Sequence, residues 1–307
     1  MTHHHHHQHH IPQPPIGGQG GFGQVAIITF SIFLNLLFVV VEAIVGLLEN
    51  SLSLLSDAGH NLSDVFSLVL VLVAFKLSKV HANGRFTYGY RKSTVLISLL
   101  NAIILLVAVG AIAIESIHKF YAPAEVNGVA VSWTAAVGIV INGVTALLLM
   151  KGQKNDINVR GAFLHMAADT LVSIGVVVSG LVITFTGWSV VDPIVSLVIA
   201  AVILFSTWGL LSASLRLSMD GTPEGIDLED IEAKMRTMPG VVDVHHIHVW
   251  AISTTENALT AHIVVHDLAM MEQTKLSLKT KLKSIGIGHS TLEFETTECQ
   301  CVCHECH

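Results

Sequence analysis

Two histidine and aspartate pairs hold the residues most capable of chemistry in this chain: His60 with Asp64, and His165 with Asp169. Each pair has i,i+4 spacing, which on a helix stacks both side chains on one face about one turn apart. Two imidazole nitrogens and two carboxylate oxygens, brought together by packing the two helices, make a four-ligand tetrahedral set suited to zinc. A single buried His or Asp is often satisfied by a neighbouring helix. Here all four lie in strongly apolar surroundings, where an ionisable side chain costs about 2.5–3.5 kcal/mol, so matched pairs are hard to explain as filler. Metal binds the deprotonated groups, and loading such a site displaces the protons they hold. An imidazole, with an ordinary pKa of about 6.5, is reprotonated on a slightly acidic side, which would expel the ion. Proton-for-zinc exchange is the chemistry these residue types imply.

The elements that must position them are membrane helices. The chain has 307 residues, 51% hydrophobic and 13% charged, with a mean hydropathy of +0.64. Crossing a hydrocarbon core takes about 20 apolar residues, and six segments qualify: 25–48, 52–77, 93–118, 128–150, 159–186 and 190–212. "SDAGHNLSD" (56–64) lies in the second span and His165 with Asp169 in the fifth. Lys76, Lys79, Arg85, Arg91 and Lys92 follow span two, Lys151, Lys154 and Arg160 follow span four, and Arg216 follows span six, against Lys119 alone on the other side. That asymmetry, with an even number of spans, places both termini in the cytoplasm. The N-terminus lacks the basic, apolar, small-residue order of a signal peptide.

Other polar residues within the spans carry weaker signals. Asn35, Glu42, Asn101, Glu115 and Asn142 are expected to hydrogen-bond between helices. Asp57 lies on nearly the same face as Asp64, two turns away, and is a candidate for the ion path, whereas Asp192 before Pro193 suits a cap or turn.

The boundaries that follow are a His-rich and Pro/Gly-rich disordered tail over 1–24, a transmembrane domain over 25–219, a soluble domain over 220–296 and a Cys/His-rich tail over 297–307. From Asp220 onward there are 14 Asp and Glu against 6 Lys and Arg, a net charge of −8, which leaves the membrane part near +1 of the chain's −7. The soluble part reads as helix, strand, strand, helix, strand, an order that suits a small α+β sandwich with its helices on one face of the sheet. A domain this small is expected to gain stability from a second copy or from metal. Adjacent strand residues face opposite ways, so His246 is expected to point away from His245. All four cysteines fall in the last nine residues, "CQCVCHECH", where thiolate metal ligation is a better reading than disulfides on a reducing side of the membrane. The first ten residues hold seven of the 19 histidines. An expression tag accounts for such a run, while its Gln interruption favours a native metal-gathering tail.

"LLSDAGHNLSD" (54–64), "RFTYGYRK" (85–92), "HMAADT" (165–170), "DP" (192–193) and "VHHIHVW" (244–250) together resemble the cation diffusion facilitators, in their zinc-transporting branch, over about 25–296. The resemblance implies six transmembrane helices, a cytoplasmic ferredoxin-like domain, a homodimer, and proton-coupled export of zinc from the cytoplasm; a compact chain without large insertions favours a bacterial inner membrane over an organelle membrane. It puts His60, Asp64, His165 and Asp169 at the transport site, and His rather than Asp at the first position is similar to members that favour zinc over cadmium. It also implies regulatory zinc sites in the soluble domain, for which His245, His248, His262, His289, Cys299, Cys301, Cys303 and Cys306 are the candidates. The loop between spans four and five, "KGQKNDINVR", departs from the His-rich loop of many animal members.

Two other classes fare less well. An intramembrane zinc protease would use H-E-x-x-H, which the chain lacks, and four protein ligands leave no position for a catalytic water. A zinc sensor fits the soluble part but does not need ligands buried between two equivalent membrane halves. No enzymatic activity and no nucleic-acid partner are expected; the expected partners are zinc, protons, lipid and a second copy of the chain.

Overall fold

The computed structural model describes residues 20–48, 52–121, 128–188 and 190–297. The chain divides into two compact units, Gly18–Ser218 and the chain from Met219 onward. The first unit contains six long helices: α1 (Gly20–Leu48), α2 (Leu52–Leu77), α3 (Ser93–Tyr121), α4 (Gly128–Leu149), α5 (Ile157–Thr186) and α6 (Val191–Ser218). The shortest, α4, has 22 residues and at 1.5 Å per residue is about 33 Å long, enough to cross a bilayer core. Large apolar side chains such as Phe30, Phe33, Val107, Leu147 and Phe205 are exposed on the outside of this bundle. Buried polar residues, among them Ser31, Asn35, Glu42, Thr145 and Thr207, occupy its interior. Apolar outside and polar inside is the arrangement lipid favours.

Helix α5 is the hub. On one side Val159, Ala162 and Met166 pack with Ile28 of α1, Leu68 and Val71 of α2, and Ala146 and Leu149 of α4. On another, Ala168 packs with Val109 of α3 and with Ala200 and Ile203 of α6. Small residues permit this close approach on two faces. At Gly175, a Cβ would lie 2.4 Å from Ile199 Cδ1 of α6. The helix opens on Asp156, whose carboxylate accepts from the Asn158 N–H at 2.7 Å.

Hydrogen bonds between side chains join the helices inside the bundle. Asn35 Nδ2 donates to Thr145 Oγ1 at 3.0 Å, linking α1 to α4, and Asn61 Nδ2 donates to Glu42 Oε2 at 2.7 Å, linking α2 to α1. Ser98 and Ser214 pair at 2.9 Å between α3 and α6. Asn35 and Glu42 thus make the interhelical bonds expected of them. Asn101 differs: it is buried with both amide atoms lacking a hydrogen-bond partner, and Asn142 Oδ1 is likewise unsatisfied. The side chains of Glu115, Asp57 and Asp192 lie outside the described residues.

Two boundaries depart from expectation. Helix α1 begins at Gly20, within the segment read as a disordered tail, where Gln24 packs close to Gly152 beyond the end of α4. Helix α6 continues to Ser218, and Lys92 Nζ donates to the Leu217 carbonyl at 2.8 Å, a cation at a helix C-terminus.

The second unit holds α7 (Leu228–Arg236), β1 (Val241–Ala251), β2 (Asn257–Val265), α8 (Met271–Ser284) and β3 (Ile287–Thr296). The sheet order is β1-β2-β3, with β1 antiparallel and β3 parallel to the central β2. Asp227 caps α7 by accepting from the Glu229 N–H at 3.0 Å. Leu259, Ala261, Ile263 and Val265 alternate along β2 onto one face, against Ile231 and Met235 of α7 and Leu278 and Leu282 of α8. Both helices therefore cover one face, and His262 belongs to the other.

The loop between α2 and α3 is built as a turn: Asn83 Oδ1 accepts from the N–H groups of Arg85 and Phe86, both at 3.0 Å. Gly89 has φ +69, and a Cβ there would lie 2.7 Å from the Val80 carbonyl oxygen, a backbone atom that cannot swing aside. Gly89→Ala is expected to destabilise the protein by about 1–3 kcal/mol. Thermal unfolding in detergent checks this, with Gly84→Ala as the neutral comparison, because a Cβ at Gly84 meets nothing within 4 Å.

Candidate metal centres

Asp64 on α2 and His165 and Asp169 on α5 converge inside the bundle. Asp64 and His165 are 1% and 4% exposed. One ligand atom from each of the three lies within 4.8 Å of the others. His165 Nε2 is 2.6 Å from Asp64 Oδ1 and 3.8 Å from Asp169 Oδ2. Donor atoms around a tetrahedral zinc with ligand distances near 2.0–2.1 Å are about 3.3 Å apart, between these two separations. An ion could thus be accommodated by small side-chain movements, with no repacking of helices. His60 is on α2 one turn before Asp64, and its side chain lies outside the described residues. The structure therefore brings together three members of the expected tetrad.

The short contact between Asp64 and His165 has a chemical consequence. At 2.6 Å one hydrogen lies between His165 Nε2 and Asp64 Oδ1, carried by the imidazole when the carboxyl is ionised and by the acid when it is protonated. That hydrogen occupies the lone-pair direction a metal would need. Proton and metal compete for one nitrogen.

A second cluster forms on the helix-free face of the soluble sheet. Register places His245 of β1 opposite His262 of β2, and His262 opposite Glu293 of β3. The His245 and His262 ring centroids are 5.3 Å apart. His262 Nδ1 is 2.5 Å from Glu295 Oε1, and its Nε2 is 3.6 Å from Glu293 Oε2. The His262 ring is thus held between two carboxylates of β3, and an outer carboxylate of this kind orients the ring of a metal-binding histidine. Glu295 Oε2 also lies 3.6 Å from His245 Nε2.

His246 corrects the strand-alternation expectation: its ring sits 4.9 Å from that of His245 and 5.0 Å from that of His262. Its φ is +51, and the register of β1 shifts between His245 and His248. Partial burial, followed by the neighbouring imidazoles of His245 and His262, holds His246 below the usual histidine range, against a smaller opposite effect of Glu295.

Not every candidate joins a cluster. His248 is exposed, pairs in register with Thr260, and lines a cleft of about 450 Å³ with Asp220, Ile247 and Trp250. His289 is exposed and pairs with Ala258, well along the strand from His262. Cys299, Cys301, Cys303, Cys306 and the N-terminal histidines lie outside the described residues. Residue-by-residue reading passed over Glu293 and Glu295, although "EFE" on an alternating strand places two carboxylates on one face. What it lacked was the parallel register that sets them beside His262.

Comparison with known proteins matches the same two units. Residues 28–217 match the cation efflux transmembrane domain family, and residues 223–284 match the cytoplasmic domain of cation efflux proteins. The chain is 35% identical to the cadmium, cobalt and zinc/H(+)-K(+) antiporter of Bacillus subtilis (strain 168), over 91% of this chain and 90% of that protein. It is 35% identical to the zinc transporter ZitB of Escherichia coli (strain K12), over 85% and 84% of the two chains. It is 33% identical to the metal cation efflux system protein CzcD of Cupriavidus metallidurans, over 86% and 84%. A six-helix bundle with buried metal-type donors, matched over both of its units, belongs to the cation diffusion facilitators, transporters for the efflux of zinc and related divalent cations.

Proposed function

We propose that the protein exports zinc from the cytoplasm in exchange for protons, through a four-ligand site formed by His60, Asp64, His165 and Asp169. The observation that carries this reading is the 2.6 Å contact between His165 Nε2 and Asp64 Oδ1. An ion that binds there must displace the hydrogen between them, and where the pair arrives as an imidazolium or a carboxylic acid that hydrogen leaves as the exchanged proton. The relative in Bacillus subtilis, named as an antiporter for cadmium, cobalt and zinc against H(+) and K(+), supports exchange of this kind. Zinc as the preferred cargo follows from donor chemistry: two imidazoles and two carboxylates suit a borderline ion in tetrahedral geometry.

In this reading both termini and the soluble domain are cytoplasmic, in the inner membrane of a bacterium, and the chain works as a homodimer. The soluble sheet carries a regulatory zinc site centred on His245 and His262, with Glu295 orienting or joining them. His248, His289 and the cysteine tail serve further cytoplasmic binding, and the N-terminal histidines gather metal. Cadmium and cobalt are second cargoes, a reading favoured by the names of the relatives.

Two outcomes are expected. In proteoliposomes with an imposed pH gradient, Asp64→Ala and Asp169→Ala each reduce zinc flux to background; undiminished flux in either would place the ion elsewhere. His60→Asp gives the first position the residue found in family members that move cadmium, and is expected to raise the ratio of cadmium to zinc flux, measured with both ions present.

A further inference from the structure

Neighbouring residues on a regular strand face opposite sides of a sheet, yet His245 and His246 do not. The register explains how. His245 lies opposite His262 and His248 opposite Thr260, so His246 and Ile247 together span the single residue Ala261 of β2. This is a β-bulge, and its extra residue, His246, adopts φ +51 in the left-handed region. Ile247 still packs against the core beneath the sheet. The side chain of His246 is released to the helix-free face, where ligand atoms from His245, His246 and His262 lie within 4.8 Å of one another.

Left-handed backbone is uncommon for residues other than glycine, and although His adopts it more readily than most, Gly would meet the needs of a bulge with less strain. A strained conformation that places a third imidazole beside two others is an observation from which a role can be argued.

We propose that His246 is a third imidazole ligand of the sheet-face site, delivered by the bulge in β1 to a borderline divalent ion such as zinc or cobalt. The proposal rests on the reading of His245 and His262 as zinc ligands. It makes the site rich in nitrogen: three imidazoles, with the Glu295 carboxylate beside His262 and within 3.6 Å of His245 Nε2. Such a donor set suits zinc, cobalt and copper and disfavours magnesium and calcium, which take oxygen ligands. A cytoplasmic site of this composition would register excess zinc against the far more abundant hard cations.

The test is zinc protection of individual histidines from acylation by diethyl pyrocarbonate, read by mass spectrometry on the full-length protein in detergent. Wild type, His246→Asn and His262→Ala are compared; Asn tolerates left-handed backbone and so keeps the bulge. The expected result is that His245, His246 and His262 become protected with a common zinc midpoint. His246→Asn should raise the midpoint at His245 and His262 by at least about tenfold, as loss of a supporting group does. If His245 and His262 are protected while His246 is acylated at saturating zinc, or if the midpoint in His246→Asn is unchanged, the role of His246 is overturned and the two-strand site stands. If zinc protects none of the three, the reading of the sheet face as a metal site fails with it.

Discussion

The contact between His165 on α5 and Asp64 on α2 is the constraint on which the membrane unit depends. Each ionisable residue at that depth costs about 2.5–3.5 kcal/mol, whereas an interhelical hydrogen bond in a membrane contributes about 0.6 kcal/mol on average. The bonds from Asn35 to Thr145 and from Asn61 to Glu42 cannot offset such a cost; their geometry fixes how α1 sits against α4 and α2. What stabilises the charged groups is each other, through a shared hydrogen or a shared ion. The helices must therefore hold α2 and α5 close enough for donor atoms to lie a few ångströms apart. Ala162, Ala168 and Gly175 on α5 permit that close approach, while Met166 fills the space toward α1, α2 and α4.

The soluble unit solves a different problem with similar chemistry. Its helices cover one face of a three-stranded sheet and bury the core there. The other face presents three imidazoles and two carboxylates from three strands. No single strand supplies the cluster, so its formation depends on the register of β1 against β2 and of β2 against β3. The geometry of this cluster and the folding of the sheet are therefore linked.

The convergence of Asp64, His165 and Asp169 was legible in the sequence because i,i+4 spacing fixes one helix face whatever the tertiary structure, while the side chain of His60 lies outside the described residues. The six spans were legible because lipid demands long apolar runs, although α1 extends to Gly20 through glycines that give no helical signal. The sheet-face cluster was legible only in part. His245 and His262 were candidates through the family resemblance, but the place of Glu293 and Glu295 depends on a parallel register set by the α8 crossover. His246 was misread for a physical reason: alternation holds until a bulge interrupts it, and "VHHIHVW" gives no glycine to mark where one occurs. Asn101 was expected to bond between helices, and nothing in its local sequence shows that its amide finds no partner among the described residues.

The central claim is that ion and proton exchange at one nitrogen. The most direct measurement follows lumenal pH with a trapped dye while a zinc pulse is applied to proteoliposomes containing wild type or the Asp64→Asn variant. The account predicts that zinc entry drives protons outward in wild type and that both movements disappear together in the variant. Zinc entry without proton movement in wild type, or undiminished coupled exchange in Asp64→Asn, would contradict it.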